Sequence, residues 1–228
     1  MNILLHICCA PCSFYTIDKL HSDGHKVRGF FYNPNIYPLS EYKLRRQGVA
    51  DMSKRLNLAV VYNDDGWQPS RAGCSQGRSA APAAASLYEN FCAPPSAEAE
   101  PQKFSKPCSQ PALVVAKQQR CSNCWRMRLT EAVSAAKKER MDAFSTTLLI
   151  SPYQNHDDIR IIGDALGSEN KIDFYYDDFR TGFRQSQQAA REVGCYRQKY
   201  CGCEKSISES LATKRDSGSL GMKFQAGK

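Results

Sequence analysis

At 228 residues the chain can bury one ordinary core, and its 42% apolar and 24% charged residues exclude a disordered or fibrous protein. The net charge of +8 favours polyanions as partners, and no apolar run approaches the roughly 18 residues that cross a bilayer, so no membrane association is expected. Eleven cysteines, an odd number without a secretory pattern in Met1–Ile7, point to a cytoplasmic protein whose thiols bind metal or carry electrons rather than form disulfides.

Ile3 to Ile7 reads as a short apolar strand running into Cys8-Cys9-Ala10-Pro11-Cys12. Ser13 to Leu20 is helical in pattern and ends at Asp23-Gly24. Val27 to Tyr32 is a second strand, broken by Asn33-Pro34-Asn35. Ser40 is placed to cap a helix reaching about Leu56, with Glu41 in its first turn, and Leu58 to Tyr62 is a third strand. Strand, loop and helix repeated in this way predict an α/β fold with a parallel Rossmann-like sheet flanked by helices, its ligands gathered at the carboxyl ends of the strands.

From Pro69 to Gln119 the chain turns rich in Ala, Pro, Ser and Gln, a low-complexity composition that buries too little apolar surface to offset its ordering. This stretch is expected to be an insertion or mobile loop, and its isolated Cys74, Cys92 and Cys108 are left out of any metal site. Pattern returns at Cys121, where Trp125, Leu129, Ala132, Val133 and Ala136 predict an amphipathic helix from Ser122 to about Arg140. Phe144 to Ile150 is an apolar strand, Asp157 to Leu166 a helix, Ile172 to Tyr176 a strand and Gly182 to Val193 a helix. A single catalytic domain over 1–210 is expected, followed by a disordered tail over 211–228.

Seven cysteines fall into three compact groups: Cys8, Cys9 and Cys12; Cys121 and Cys124; Cys201 and Cys203. In Cys121-Ser122-Asn123-Cys124 two sulfurs can face one metal, and the pair is expected to open a helix whose free N–H groups favour thiolate. Gly202 lets the backbone turn tightly between Cys201 and Cys203. The adjacent Cys8 and Cys9, if extended, point to opposite faces and would serve different partners. Seven thiols exceed the four of a cubane cluster or structural zinc, so a cluster with a second metal, or a cluster with a redox thiol, is implied. Two alternatives stay open: a zinc-stabilised RNA-binding protein, and a thioredoxin-like dithiol enzyme using Cys9 and Cys12.

Tyr32, Asn33 and Asn35 close a strand where amides and rings could meet a nucleoside. Asp178 and Arg180 also follow a strand; Arg180 could pair with Asp178 or grip a phosphate, and a carboxylate there could reach a metal. Arg197 and Lys199 interleave with Tyr196 and Tyr200 beside Cys201, a pattern that suits nucleic acid. Lys43, Arg45 and Arg46 read as a solvated helix face, and Cys195 as an ordinary thiol.

Leu4 to Cys12, Phe31 to Ile36, Cys121 to Leu129, Thr146 to Tyr153, Asp178 to Arg180 and Tyr196 to Cys203, in this order, resemble the epoxyqueuosine reductase family that works without cobalamin. The resemblance covers residues 2 to about 66 and 120 to about 206, and the stretch between them is longer than expected for the family. It implies two-electron reduction of the epoxide of epoxyqueuosine to queuosine at the wobble position of tRNAs with GUN anticodons. It also implies a [4Fe-4S] cluster with a second, mononuclear iron nearby, and a low-potential electron donor. On that footing the seven paired cysteines are candidate metal ligands, and Asp178 and Tyr153 are candidates for proton delivery. Arg180, Arg197 and Lys199 are then candidates for holding tRNA phosphates.

Overall fold

A computed structural model describes residues 1–64 and 111–211. Cys74, Cys92 and Cys108, most of the expected insertion and the expected tail beyond residue 211 lie outside the described residues. Five strands, β1 (Asn2–His6), β2 (Lys26–Phe31), β3 (Val60–Tyr62), β4 (Ala143–Thr146) and β5 (Asp173–Phe174), pair in parallel in the order β3-β2-β1-β4-β5. Ile3, Leu4 and Leu5 of the central β1 are fully buried. A parallel strand is covered on both faces, which is why β1 reads as an unbroken apolar run rather than an alternation.

The strand order places β2 and β3 on one side of β1 and β4 and β5 on the other. The chain therefore changes direction across the sheet between β1 and β4. In an open α/β sheet the crevice beyond the carboxyl ends at that point is where ligands collect. His6, at the end of β1, pairs across with Thr146 at the end of β4 and with Phe30 near the end of β2.

Among the described residues lie the helices α1 (Phe14–Ser22), α2 (Leu39–Arg55), α3 (Pro111–Lys138), α4 (His156–Asn170) and α5 (Phe183–Glu192), the last packed on α1 and on the turn Ala10–Cys12. Residues 204–211 are helical as well. The stripe expected on α3 is the buried one: Trp125, Leu129, Ala132, Val133 and Ala136 all enter the core. Phe144 of β4 packs on Phe174 of β5 with ring centroids 5.1 Å apart.

Four local expectations are corrected. Helix α3 begins at Pro111, inside the stretch expected to be insertion, since proline is pre-set for a first helical turn. Helix α2 begins at Leu39 with Pro38 before it, so Ser40 sits within the first turn and makes no cap. The strand expected over Phe144 to Ile150 ends at Thr146, and Thr147–Ile150 is a 3-10 turn. The Thr146 hydroxyl accepts the Leu148 N–H at 3.2 Å, a local bond that competes with the ladder. Ile172 to Tyr176 shortens to the two residues of β5.

Candidate metal and nucleic-acid site

The segment after β1 forms a 3-10 turn, Ala10–Cys12, preceded by the extended Cys9. This fold brings the Sγ atoms of Cys8, Cys9 and Cys12 within 4.8 Å of one another, all three residues buried. The adjacent pair does not diverge as expected: the Cys8 and Cys9 sulfurs are 3.7 Å apart, because the chain has already left the strand at Ile7. Thr147, at the end of β4, holds Cys8 from the far side of the switch point: its Oγ1 accepts the Cys8 N–H at 3.0 Å and lies 3.3 Å from Cys8 Sγ.

Electrostatics distinguish the three thiols. Hydrogen bonds from Cys12, Cys9 and Thr147 hold Cys8 well below the ordinary thiol value, against its burial. Cys12 is pushed up chiefly by giving its hydrogen bond to Cys8, and Cys9 by burial. Cys8 is thus the sulfur whose surroundings favour thiolate. His6 lies beneath, fully buried, its pKa lowered to about 4 by desolvation and by the nearby Arg128. Its Nε2 is 3.0 Å from the Tyr32 carbonyl, which can only accept, so Nε2 carries the proton and Nδ1 accepts from the Thr146 hydroxyl at 2.9 Å.

Cys121, Cys124, Cys201 and Cys203 lie near enough to influence one another's charge, whereas among the described residues only Cys8, Cys9 and Cys12 converge within metal-ligand reach. Desolvation raises the Cys121 and Cys201 thiols, and neighbouring Cys124 and Cys203 raise both further; for Cys201, an exposed residue, the desolvation comes from the protein crowded around the sulfur rather than from loss of surface. Cys121 and Cys124 share one face of a helix at i, i+3 spacing, but they lie well inside α3 rather than at its start. The helix N-terminus therefore lends them nothing, since its field fades within the first turn. Cys124 is served instead by Asn35, whose Nδ2 donates to the sulfur at 3.1 Å while its Oδ1 accepts from Arg128 at 2.8 Å. Gly202 has φ +130°, and a Cβ there would lie 3.1 Å from Arg45 Nη1 and 3.3 Å from Ile36.

Three side chains organise this floor: Arg128 and Gln198 were given no role from the sequence, and Arg45, expected on a solvated helix face, is corrected to a buried one. Arg45 is buried and pairs with Glu41 at 2.7 Å, while its other nitrogens donate to the Cys201 and Tyr200 carbonyls at 2.9 Å each. Arg128 is buried four residues beyond Cys124, on the same helix face. Gln198, between Arg197 and Lys199, donates to Cys9 Sγ at 2.9 Å. Each carried a signal: Arg45 falls on the buried stripe with Tyr42, Val49 and Met52, and Arg128 has i+4 spacing from a thiol.

A cavity of about 1070 Å³ opens over Cys8, Cys12 and Cys201. Its wall includes Tyr153, Arg197 and Lys199, all expected at the site, together with Arg45, Arg128 and the α5 residues from Phe183 to Arg191. Asp178 and Arg180 do not line it; they bind each other, with Arg180 Nε 2.7 Å from Asp178 Oδ1. That partner lowers the Asp178 carboxyl to about 2, so it is ionised at neutral pH and has no proton to give. Asn33 is fully buried with its amide on the Ile7 carbonyl at 2.9 Å, and Tyr32 stacks on Phe30 with centroids 6.2 Å apart. Asn33 thus ties strand ends together, and Asn35 serves a sulfur.

The donor set suits a metal. Sulfurs about 2.3 Å from one tetrahedral metal lie roughly 3.8 Å apart, close to the observed Cys8–Cys9 separation. Side chains direct hydrogen bonds at sulfur from Gln198, Asn35 and Thr147, as charged thiolates require.

A family model described as Epoxyqueuosine reductase QueH matches residues 3–76 and 85–209 of this chain. Several proteins named epoxyqueuosine reductase QueH are similar over most of this chain. That of Thermotoga maritima is 30% identical over 210 residues, 91% of each chain. That of Dehalococcoides mccartyi is 27% identical over 202 residues, 89% of this chain and 90% of its own. That of Acinetobacter baylyi is 28% identical over 234 residues, 98% of this chain and 90% of its own.

Proposed function

The chain belongs to the epoxyqueuosine reductase QueH family and is an oxidoreductase of that class, and from this premise we propose how its residues carry out the reaction. The substrate is a tRNA with a GUN anticodon bearing epoxyqueuosine at the wobble position. Both C–O bonds of the epoxide break, a C=C bond forms, and the oxygen leaves as water after uptake of two electrons and two protons. A low-potential one-electron carrier supplies the electrons from outside. The observation that carries this reading is the convergence of Cys8, Cys9 and Cys12, two of which, Cys8 and Cys12, line a cation-rich cavity.

Cys121, Cys124, Cys201 and Cys203 would hold a [4Fe-4S] cluster, four thiols being what a cubane takes, and Cys8, Cys9 and Cys12 a second, mononuclear iron. When bound, these groups supply electrons one at a time and an electrophile for the epoxide oxygen. The protein's own residues do the rest. Gln198, Asn35 and Thr147 stabilise charge on sulfur, and Arg45 fixes the Cys201 backbone. The nucleoside leaves the anticodon stack to reach this floor, because Cys8 and Cys12 line the cavity as buried residues. Tyr153, on the cavity wall, delivers a proton to the departing oxygen. Arg197 and Lys199 hold phosphates at the rim.

The test is iron and acid-labile sulfide content, with an EPR spectrum, on anaerobically purified protein, followed by reduction of epoxyqueuosine tRNA. Cys124→Ala is expected to lose sulfide, and Cys8→Ala to keep sulfide while losing the remaining iron. Zinc without sulfide, and no product with a strong chemical reductant after reconstitution, would overturn the reading in favour of a structural metal.

A further inference from the structure

The amide- and arginine-rich helix α5 was expected only as an element, yet it forms much of one wall of the cavity. Two small residues, Ser186 and Ala190, are its buried ones. Ser186 Oγ donates to the Pro11 carbonyl at 2.8 Å and accepts the Tyr15 N–H at 3.1 Å. Gly182, just before the helix, lies so close to Tyr15 that a Cβ there would sit 2.0 Å from its ring. The helix is therefore locked to the turn that carries Cys9 and Cys12, and its outer face keeps a fixed register over the thiols. That face presents Arg184, Gln187, Gln188 and Arg191 to the cavity.

Charge on this wall is one-sided. The cavity lining contains six cations, Arg45, Arg128, Arg184, Arg191, Arg197 and Lys199, and no carboxylate. Arg45 is neutralised by Glu41. Arg184, Arg191, Arg197 and Lys199 make no ion pair among the described residues, and Arg197 meets only the neutral Gln187 at 3.3 Å. The acidic neighbour on α5, Glu192, is outside the lining and accepts from Gln188 at 2.9 Å. Unpaired arginines on an anchored helix that faces a pocket are placed for phosphate, which a guanidinium binds through two parallel N–H groups.

We propose that α5 is the RNA-gripping helix of this enzyme, with Arg184 and Arg191 contacting anticodon-loop phosphates that flank the nucleoside lowered onto the thiols. The proposal rests on the functional reading above and adds the surface that holds the substrate. It also moves the phosphate role away from Arg180, whose guanidinium is satisfied by Asp178 off the cavity.

The experiment measures binding of an anticodon stem-loop RNA with a GUN anticodon to the anaerobic, metal-loaded full chain across a salt series. Arg184→Gln, Arg191→Gln and the double variant are compared with the unaltered enzyme and with Lys54→Gln, an exposed cation in the last turn of α2. Each phosphate contact on a single strand contributes a slope of about −0.7 in log affinity against log salt. The double variant is expected to lose about 1.4 of that slope and to raise KM for the epoxyqueuosine stem-loop at least tenfold. Its kcat, sulfide content and unfolding midpoint should stay as they were, and Lys54→Gln should change none of these. An unchanged slope in the double variant, with reduction intact, would overturn the role of α5 alone. Absence of salt-dependent RNA binding by the unaltered enzyme would overturn both this role and the functional reading beneath it.

Discussion

At the scale of single residues, the two side chains expected to move protons stand in different surroundings. Asp178 is ionised at neutral pH and occupied by Arg180, while Tyr153 is 83% exposed on the cavity wall with its ring edge against Phe183, 6.1 Å between centroids. Removing only the hydroxyl separates proton delivery from stacking: Tyr153→Phe should cut kcat by about 100-fold or more with KM little changed. A Phe variant that keeps kcat, beside an Ala variant that loses KM, would make Tyr153 a base platform instead. Asp178 has a structural role that pH should reveal. Its carboxyl caps the turn Phe179–Gly182, and its folded pKa is depressed. The contribution is therefore present above the unfolded value of about 3.9 and lost as pH falls from there towards about 2. Because the side chain is 42% exposed, the effect is small. Urea unfolding should show Asp178→Asn less stable than the parent by under about 1 kcal/mol at pH 6, the gap closing by pH 2.

At the scale of elements, helix packing around the sheet depends on close approaches that only glycine permits. On α4, a Cβ at Gly163 would lie 2.3 Å from the Phe174 ring of β5, which is itself packed on Phe144. Gly163→Ala should destabilise the protein by about 1–3 kcal/mol in urea unfolding without altering the spectrum of any metal bound by the thiols. Normal stability in that variant would mean that β5 shifts freely. Elements were legible in the sequence wherever one periodicity ruled. β1 announced itself by an unbroken apolar run, and α3 by Trp125, Leu129 and Val133. They were illegible where a side chain competed with the backbone ladder, as Thr146 does in ending β4, or where composition masked a helix start, as before Pro111. The thiols stood out by local spacing, but the convergence of Cys8, Cys9 and Cys12 on one point did not. Nor did the supporting Arg45, Arg128 and Gln198, because contacts between residues 45 and 201, or 198 and 9, exist only in the fold.

At the scale of the whole molecule, the site is assembled from segments that the sheet alone does not hold together. The Cys8–Cys12 turn follows the central strand, and Cys121 and Cys124 sit on a core-packed helix. The segment from Tyr196 to Cys203 has no strand or helix of its own. Its anchors include the Arg45 contacts to the Tyr200 and Cys201 carbonyls, the Tyr196 hydroxyl on Glu41, the Tyr200 hydroxyl on the Tyr37 carbonyl, Gln198 on Cys9 and the Tyr37 N–H on the Gly202 carbonyl. Metal–thiolate bonds at Cys201 and Cys203 would add the strongest of its ties to the core, and metal that binds only the folded state adds its binding free energy to folding. Chelation under anaerobic conditions should therefore act unevenly. Hydrogen exchange should rise first and most over residues 196–206, then over 33–37, while β1 and the Leu129–Ala136 part of α3 stay protected. The unfolding midpoint should fall on the same treatment and recover on reconstitution with iron and sulfide. Equal loss of protection across β1 and residues 196–206 would mean that the thiols hold the entire fold together. No change anywhere would mean that they hold no metal in the purified protein, and the assignment of Cys201 and Cys203 as ligands would fall with it.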